Sequence, residues 1–295
     1  MANQQIDKAL IIQFSDMLQV KSQQIRARLR PFVRVKLMTG DRFAFDGLGD
    51  VEAQEVSGRI QPTVFNEIDH LRRKISRRRF VVTLPIDDVD VRAVLINPEG
   101  EYAGACIRAM ERVFDRVGVE VLFADVATGR DFETDVTFAN DGGFTVDATA
   151  GLTYEKLLEI QQNWIDADVG NDVPEAKVIG ISGDEHTALM KETELISGDF
   201  SRQFVVDKGE ITFAAGMALI KFAGNARSPI LNVSGGVRDN FAITTRGLCY
   251  GLSKEMEITV KDRPDLVDVQ QVQIVGILGA VRTEGVLVQK VQTTD

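Results

Sequence analysis

The chain has 295 residues, 44% hydrophobic and 26% charged, with 34 Lys+Arg against 44 Asp+Glu, a formal net charge of −10 and a pI near 4.9. That balance argues against a sequence-nonspecific nucleic-acid coat, whose affinity comes from neutralising phosphates and releasing counterions. No apolar run of about 18 residues marks a membrane span, and Cys106 and Cys249 are too few for a disulfide framework and lack metal-ligand spacing.

The opening MANQQIDKALIIQF has neither a basic leader nor a small-residue cleavage site, so secretion is not expected. A reducing cytoplasm, or a particle assembled there, is the expected setting. Charge is unevenly placed. Residues 1–92 hold 16 basic and 12 acidic side chains, and residues 93–295 hold 18 and 32. A positive front and a negative rear on one chain point to head-to-tail attraction between copies.

Residues 1–31 are polar with a sparse helical pattern closed by Pro31, which predicts an arm or short docking helix. FVRVKLMTGDRFAFDGLGD (32–50) predicts two alternating strands around Thr39-Gly40-Asp41, and FVVTLPI (80–86) a further strand. The intervening polar residues predict a long projecting loop, and long loops in compact proteins are usually functional or disordered. This loop contains DHLRRKISRRRF, with Arg72, Arg73, Lys74, Arg77, Arg78 and Arg79.

Asn97-Pro98 then signals a helix start. Tyr102, Cys106, Met110, Val113, Phe114 and Val117 recur at three- and four-residue steps, predicting a buried stripe on a long helix that ends near Gly129. Gly104 and Gly118 weaken it slightly. TYEKLLEIQQNW (153–164) predicts an amphipathic helix capped by Thr153, and KVIGISGDEHTALMKE (177–192) a strand, turn and helix. GEITFAAGMALIKF (209–222) predicts a buried hairpin, and residues 267–291 alternate in strand fashion. Strands and helices without a regular βα repeat make the expected class α+β.

No catalytic constellation emerges. Gly142-Gly143 and Gly235-Gly236 lack phosphate-loop context and predict turns. Gly180-Ile181-Ser182-Gly183 misses the nucleophile-elbow spacing, leaving Ser182 as a helix cap. His70 and His186 have no partner pattern, and Asp87, Asp88 and Asp90 lack calcium-loop spacing and read as start-of-helix acids. No catalytic residue, cofactor or metal ligand is expected. The basic run can face water, touch nucleic acid, or meet acidic patches on neighbouring copies. The charge asymmetry favours the last, and the run lacks aromatic residues to stack bases apart from Phe80.

The order of elements resembles the major capsid proteins of tailed bacteriophages with the Hong Kong 97-type fold. The resemblance rests on RRRF…IDDVDVRAVLINPEGEYAGACIRAMERVFDRVGVEVLFADVATG, then TYEKLLEIQQNW, VIGISGDEHTALM and GEITFAAGMALIKF, and covers the chain from about residue 10. It implies an N-terminal arm (1–31), an extended loop overlapping an adjacent subunit (32–85), a peripheral domain (86–150 plus 246–295) with the long helix as spine, and an axial domain (151–245). It further implies a virion shell of hexamers and pentamers enclosing double-stranded DNA without sequence-specific binding, assembled in the host cytoplasm. The implied partners are a separate scaffolding protein, a portal and a decoration protein, with no membrane. The six basic residues would then be inter-subunit contacts. An encapsulin-like compartment of the same fold and a soluble enzyme with an unrecognised site are the alternatives.

Overall fold

In the computed structural model, which describes residues 23–40, 43–49, 51–55, 65–86, 99–172, 174–192, 210–224, 229–263, 265 and 269–294, the apolar stripe lies on helix α1, Glu99–Phe123. Its 25 residues run about 37 Å at ~1.5 Å per residue. Cys106, Met110, Val113, Phe114 and Val117 are all buried, whereas Tyr102, in the first turn, is 36% exposed. The buried stripe therefore begins at Cys106, and the polar tip of the phenol tolerates the exposed position. The helix also stops six residues short of Gly129, because Val126–Thr128 is drawn into a sheet. Asn97, Pro98 and the acids Asp87, Asp88 and Asp90 lie outside the described residues.

Fifteen strands are described: β1 (Arg34–Leu37), β2 (Phe43–Leu48), β3 (His70–Ile75), β4 (Arg78–Ile86), β5 (Val126–Thr128), β6 (Thr134–Val136), β7 (Phe144–Ala148), β8 (Lys177–Ile181), β9 (Phe213–Ala214), β10 (Met217–Lys221), β11 (Asn232–Ser234), β12 (Val237–Thr244), β13 (Leu248–Arg263), β14 (Val269–Arg282) and β15 (Val288–Thr294). Helices α2 (Tyr154–Asp166) and α3 (Gly183–Leu189) and a 3-10 turn at Arg30–Phe32 complete the set. The mixture, with parallel and antiparallel pairs in one sheet, is α+β.

The chain divides into two compact units. One takes residues up to Arg26, Arg79–Arg112 and Lys254–Gly276; the other takes Ala27–Arg78, Val113–Ser253 and Ile277 onward. Within the first, Met110 packs where Gly276 leaves room, at 3.3 Å from where a Cβ would stand. Arg112 Nη1 donates to Gln23 Oε1 at 2.8 Å in the same unit.

The second unit holds a seven-stranded sheet in the order β7-β15-β12-β8-β10-β9, with β11 paired to β12. Helix α2 turns Leu157, Ile160 and Trp164 onto its core, which also contains Val146, Ile179, Ile181, Ala242 and Val291. Thr153 caps α2, accepting from Lys156 N at 3.4 Å. The Gly235-Gly236 pair turns β11 into β12 with both φ angles positive (61° and 77°), a conformation that glycine adopts without strain.

Gly118 has a structural use. A Cβ there would collide with the Tyr250 hydroxyl, which donates to Phe114 O at 2.7 Å. Close approach to the helix backbone requires glycine at this point. On the same helix, buried Asp115 accepts backbone N–H groups from Arg28 (2.9 Å) and Leu29 (3.0 Å), fixing the last part of the expected arm.

Candidate functional site

The basic run is not a loop. It forms β3 and the start of β4, separated by Ser76 and Arg77. β3 pairs antiparallel with β2 from Phe43↔Ile75 to Leu48↔His70, and Gly49 N donates to Asp69 O at 2.7 Å. Asn66 Nδ2 donates to Glu52 O at 2.7 Å, so the two arms stay close beyond the strands. On its other side β3 meets β5 at a single register, Arg73↔Thr128. Residues 43–49 and 69–75 therefore make a two-stranded ribbon, which residues 51–55 and 65–68 continue without further strand, anchored at its base by Ile75, Met38, Phe43 and Phe45.

The anchor is charged at its centre. Arg73, only 2% exposed, donates through Nη2 and Nη1 to the Asp141 carboxylate at 2.5 and 2.8 Å. Arg282, fully buried, donates through Nε to the same carboxylate at 2.8 Å. Arg282 Nη1 also donates to the carbonyls of Leu122 (2.7 Å) and Ala124 (2.9 Å), satisfying acceptors left over at the end of α1. Arg73 Nη1 reaches Arg282 O at 3.2 Å. Two guanidinium groups thus share one carboxylate out of water, joining the ribbon, the helix end, β14 and the turn at Asp141.

This corrects the expectation for Arg73: it is an internal structural cation and has no surface to offer a neighbour. Arg72 and Arg78 stay exposed, but each pairs within its own chain, with Asp46 (2.7 Å) and Glu120 (3.0 Å). Lys74 is half-buried, and Arg77 and Arg79 are exposed. The distal ribbon has the opposite character. Asp46, Glu52, Glu55, Glu67 and Asp69 are exposed on it, together with Leu48 (69%), Val51 (45%), Phe65 (88%), Ile68 (45%) and Leu71 (36%). Among the described residues the distal part is acidic and apolar, and only the root is basic.

Ser182 and His186 take structural roles. Ser182 caps α3 in a reciprocal capping box with Glu185, accepting from Asp184 N at 3.2 Å while its own N–H donates to Glu185 Oε2 at 2.8 Å. Buried Glu185 further accepts from Thr293 Oγ1 (2.5 Å) and Asn240 Nδ2 (3.1 Å), with Arg238 Nη1 at 3.4 Å. His186 Nε2 accepts the backbone N–H of Ile211 at 3.2 Å. A groove of about 640 Å³ beside the end of α1 is lined by Arg116, Phe123 and Leu231, but its carboxylates, Glu120 and Asp239, are engaged by Arg78 and Lys290. Among the described residues no group of three or more His, Cys, Asp or Glu side chains could hold a metal, and no helix is long and apolar enough to cross a membrane.

This network gives a pH prediction. Burial pushes the Glu185 carboxyl up, but hydrogen bonds from Ser182, Thr293 and Asn240 outweigh it and hold the group below its ordinary 4.5. Burial, with Lys221 nearby, depresses His186 below its ordinary 6.5 against a smaller upward pull from Glu210. Both folded values are lowered, so both contributions are present above the ordinary values and fade as pH falls through the folded ones. The melting temperature of the subunit should hold near pH 7, begin to fall below pH 6.5 and fall further below pH 4.5. A melting temperature unchanged between pH 7 and pH 4 would contradict this.

Sequence reasoning missed Asp141, Arg282 and Asp115. Arg282 did carry a signal. Val272, Ile274, Leu278 and Ala280 share its parity on β14 and are all buried, which marks position 282 as inward-facing.

A family model described as phage capsid protein matches residues 6–294. No curated protein sequence matches the chain. Among solved structures, the head of Helicobacter pylori bacteriophage KHP40 matches with a TM-score of 0.73 at 11% identity, covering 99% of this chain and 97% of that one. The capsid of cyanophage P-SCSP1u matches at 0.72 and 14% identity (98% and 94% covered), and Mycobacterium phage Che8 at 0.71 and 15% (96% and 96%). At these identities the likeness is one of fold.

Proposed function

The chain belongs to the phage capsid protein family, a major capsid protein that builds a shell from repeated copies, and on that premise we propose how it does so. The shell is icosahedral, made of hexamers and pentamers, and encloses double-stranded DNA without reading its sequence. The observation that carries this is the distal ribbon and its continuation (46–55 and 65–72), whose large apolar side chains lie exposed in the single chain. A two-stranded ribbon is marginal alone, so a neighbouring copy is its natural cover. Residues 1–31 serve as an arm, 32–85 as the overlapping extension, 86–150 with 246–295 as the peripheral domain and 151–245 as the axial domain. A separate scaffolding protein, a portal and a decoration protein complete the particle, which forms in the host cytoplasm. The chain does mechanical rather than catalytic work: many weak contacts add through closed symmetry. Negative-stain images of the protein expressed with its scaffold test this reading. Closed particles are expected, and a monomer with enzymatic turnover would overturn it.

Arg72, Lys74, Arg77, Arg78 and Arg79 at the ribbon's root are proposed as further contacts to acidic surface on a neighbour. Exposed pairs contribute only about 0–1 kcal/mol each, but a shell repeats them in every subunit. Reversing Arg77, Arg78 and Arg79 together to Glu should abolish particles in size-exclusion chromatography while the circular dichroism of the free subunit is unchanged. Normal empty shells from that variant would remove these residues from the interface.

A further inference from the structure

We propose that β1 is a docking edge for a second copy, whose ribbon adds residues Phe65–Asp69 to it as an extra strand; this rests on the shell-building reading above. Among the described residues β1 stands at the end of its sheet and pairs only with β13, in parallel, from Arg34↔Cys249 to Leu37↔Leu252. All four of its residues are exposed, Leu37 at 80% and Val35 at 41%. Such an edge presents unpaired backbone groups as a template for another strand.

The side chains say which strand fits. Along β1, Arg34 and Lys36 point to one face and Val35 and Leu37 to the other. On the distal ribbon, Glu67 and Asp69 flank Ile68 with the same alternation and opposite charge, and all three are exposed. Among the described residues none of Arg34, Lys36, Glu67 and Asp69 takes part in an ion pair, so these charges face water in the single chain. Lys36 Nζ lies over the Phe45 ring at 4.9 Å, which holds the ammonium in place. Pairing the two segments sets carboxylates opposite cations and Ile68 beside Val35 and Leu37, the cross-strand contacts that stabilise sheets.

The occupant must come from another copy. Met38, directly after β1, packs with Ile75 and Phe43 at the root of the chain's own ribbon. From Ile75 back to Asp69 the extended chain covers about 20 Å at ~3.4 Å per residue, pointing away from that root. A chain cannot fold its own Glu67–Asp69 back onto its own β1 without dismantling the β2–β3 pairing.

Charge reversal in the full chain tests this. Arg34→Glu with Lys36→Glu, and separately Glu67→Lys with Asp69→Lys, should each cut particle yield at least about tenfold, since like charges then oppose each other across the contact. Melting of the free subunit should stay close to wild type in both cases, the first pair losing only the Lys36–Phe45 contact. The fourfold variant, which restores opposite charges, should recover particles. Wild-type yield from either reversed pair, or a fourfold variant no better than the weaker pair, would overturn the proposal while leaving the shell reading intact. Wild-type protein that forms no particles with its scaffold sinks the shell reading instead.

Discussion

Replacing Asp141 with alanine is expected to cost about 3–5 kcal/mol of subunit stability, the range for removing one partner of a buried ion pair. The carboxylate is shared by Arg73 and Arg282, whose side chains are 3% and 0% exposed. Arginine cannot escape by losing its proton. Two uncompensated cations would then sit among Phe138, the end of α1 and the ribbon root. Against a total of about 5–15 kcal/mol for an ordinary domain, that loss leaves little. Urea titration of the free subunit reads it directly: the Asp141→Ala midpoint should drop sharply, with Asp141→Asn between it and wild type. A wild-type midpoint for Asp141→Ala would mean that the guanidinium groups find water, and that the ribbon is not anchored in this way.

The second large effect belongs to the spine. Val113→Asp and Phe114→Asp each place an unpaired carboxylate on the buried stripe, at positions 6% and 2% exposed. Stranding a charge there costs several kcal/mol, and the lost side chain removes a further ~1.5–3 kcal/mol of apolar burial. Phe114 also loses its ring contacts with Tyr250 (centroids 6.0 Å apart) and with the Arg30 guanidinium (5.2 Å). Neither variant should accumulate as soluble protein. Arg116→Ala, an exposed change between them and Gly118, should stay within about 0.5 kcal/mol of wild type. Soluble, assembling Val113→Asp would show that the stripe does not bear the core.

Much of this architecture could be read from local pattern. The stripe from Cys106 to Val117 followed from helical spacing, and the caps at Thr153 and Ser182 from residue type just before an apolar run. What escaped was set by distant partners. Arg73 looked like one more cation in a basic run, yet its partner Asp141 is 68 residues away, inside a Gly-rich turn that gives no hint of burial. Arg282 is 141 residues from the same carboxylate. Composition treats a run of like charges as one surface, whereas strand alternation sends neighbouring residues to opposite faces. Hence Arg72 is exposed, Arg73 is buried and Lys74 is half-buried, within three consecutive letters.

The position of β15 bears on how the protein is made. Among the described residues β7 has β15 as its only neighbour in the seven-stranded sheet, and Gln289 pairs with Phe144 across 145 residues of chain. A ribosome adding about 5–20 residues per second takes roughly 7–30 s to deliver that partner. Throughout that interval the nascent chain carries β7 with no strand to receive it, and its sheet cannot close. Non-local parallel pairing of this kind is slow even after synthesis. Newly translated subunits are thus exposed to mispairing before they can join a particle, and a general chaperone in the host should raise the yield of assembly-competent protein.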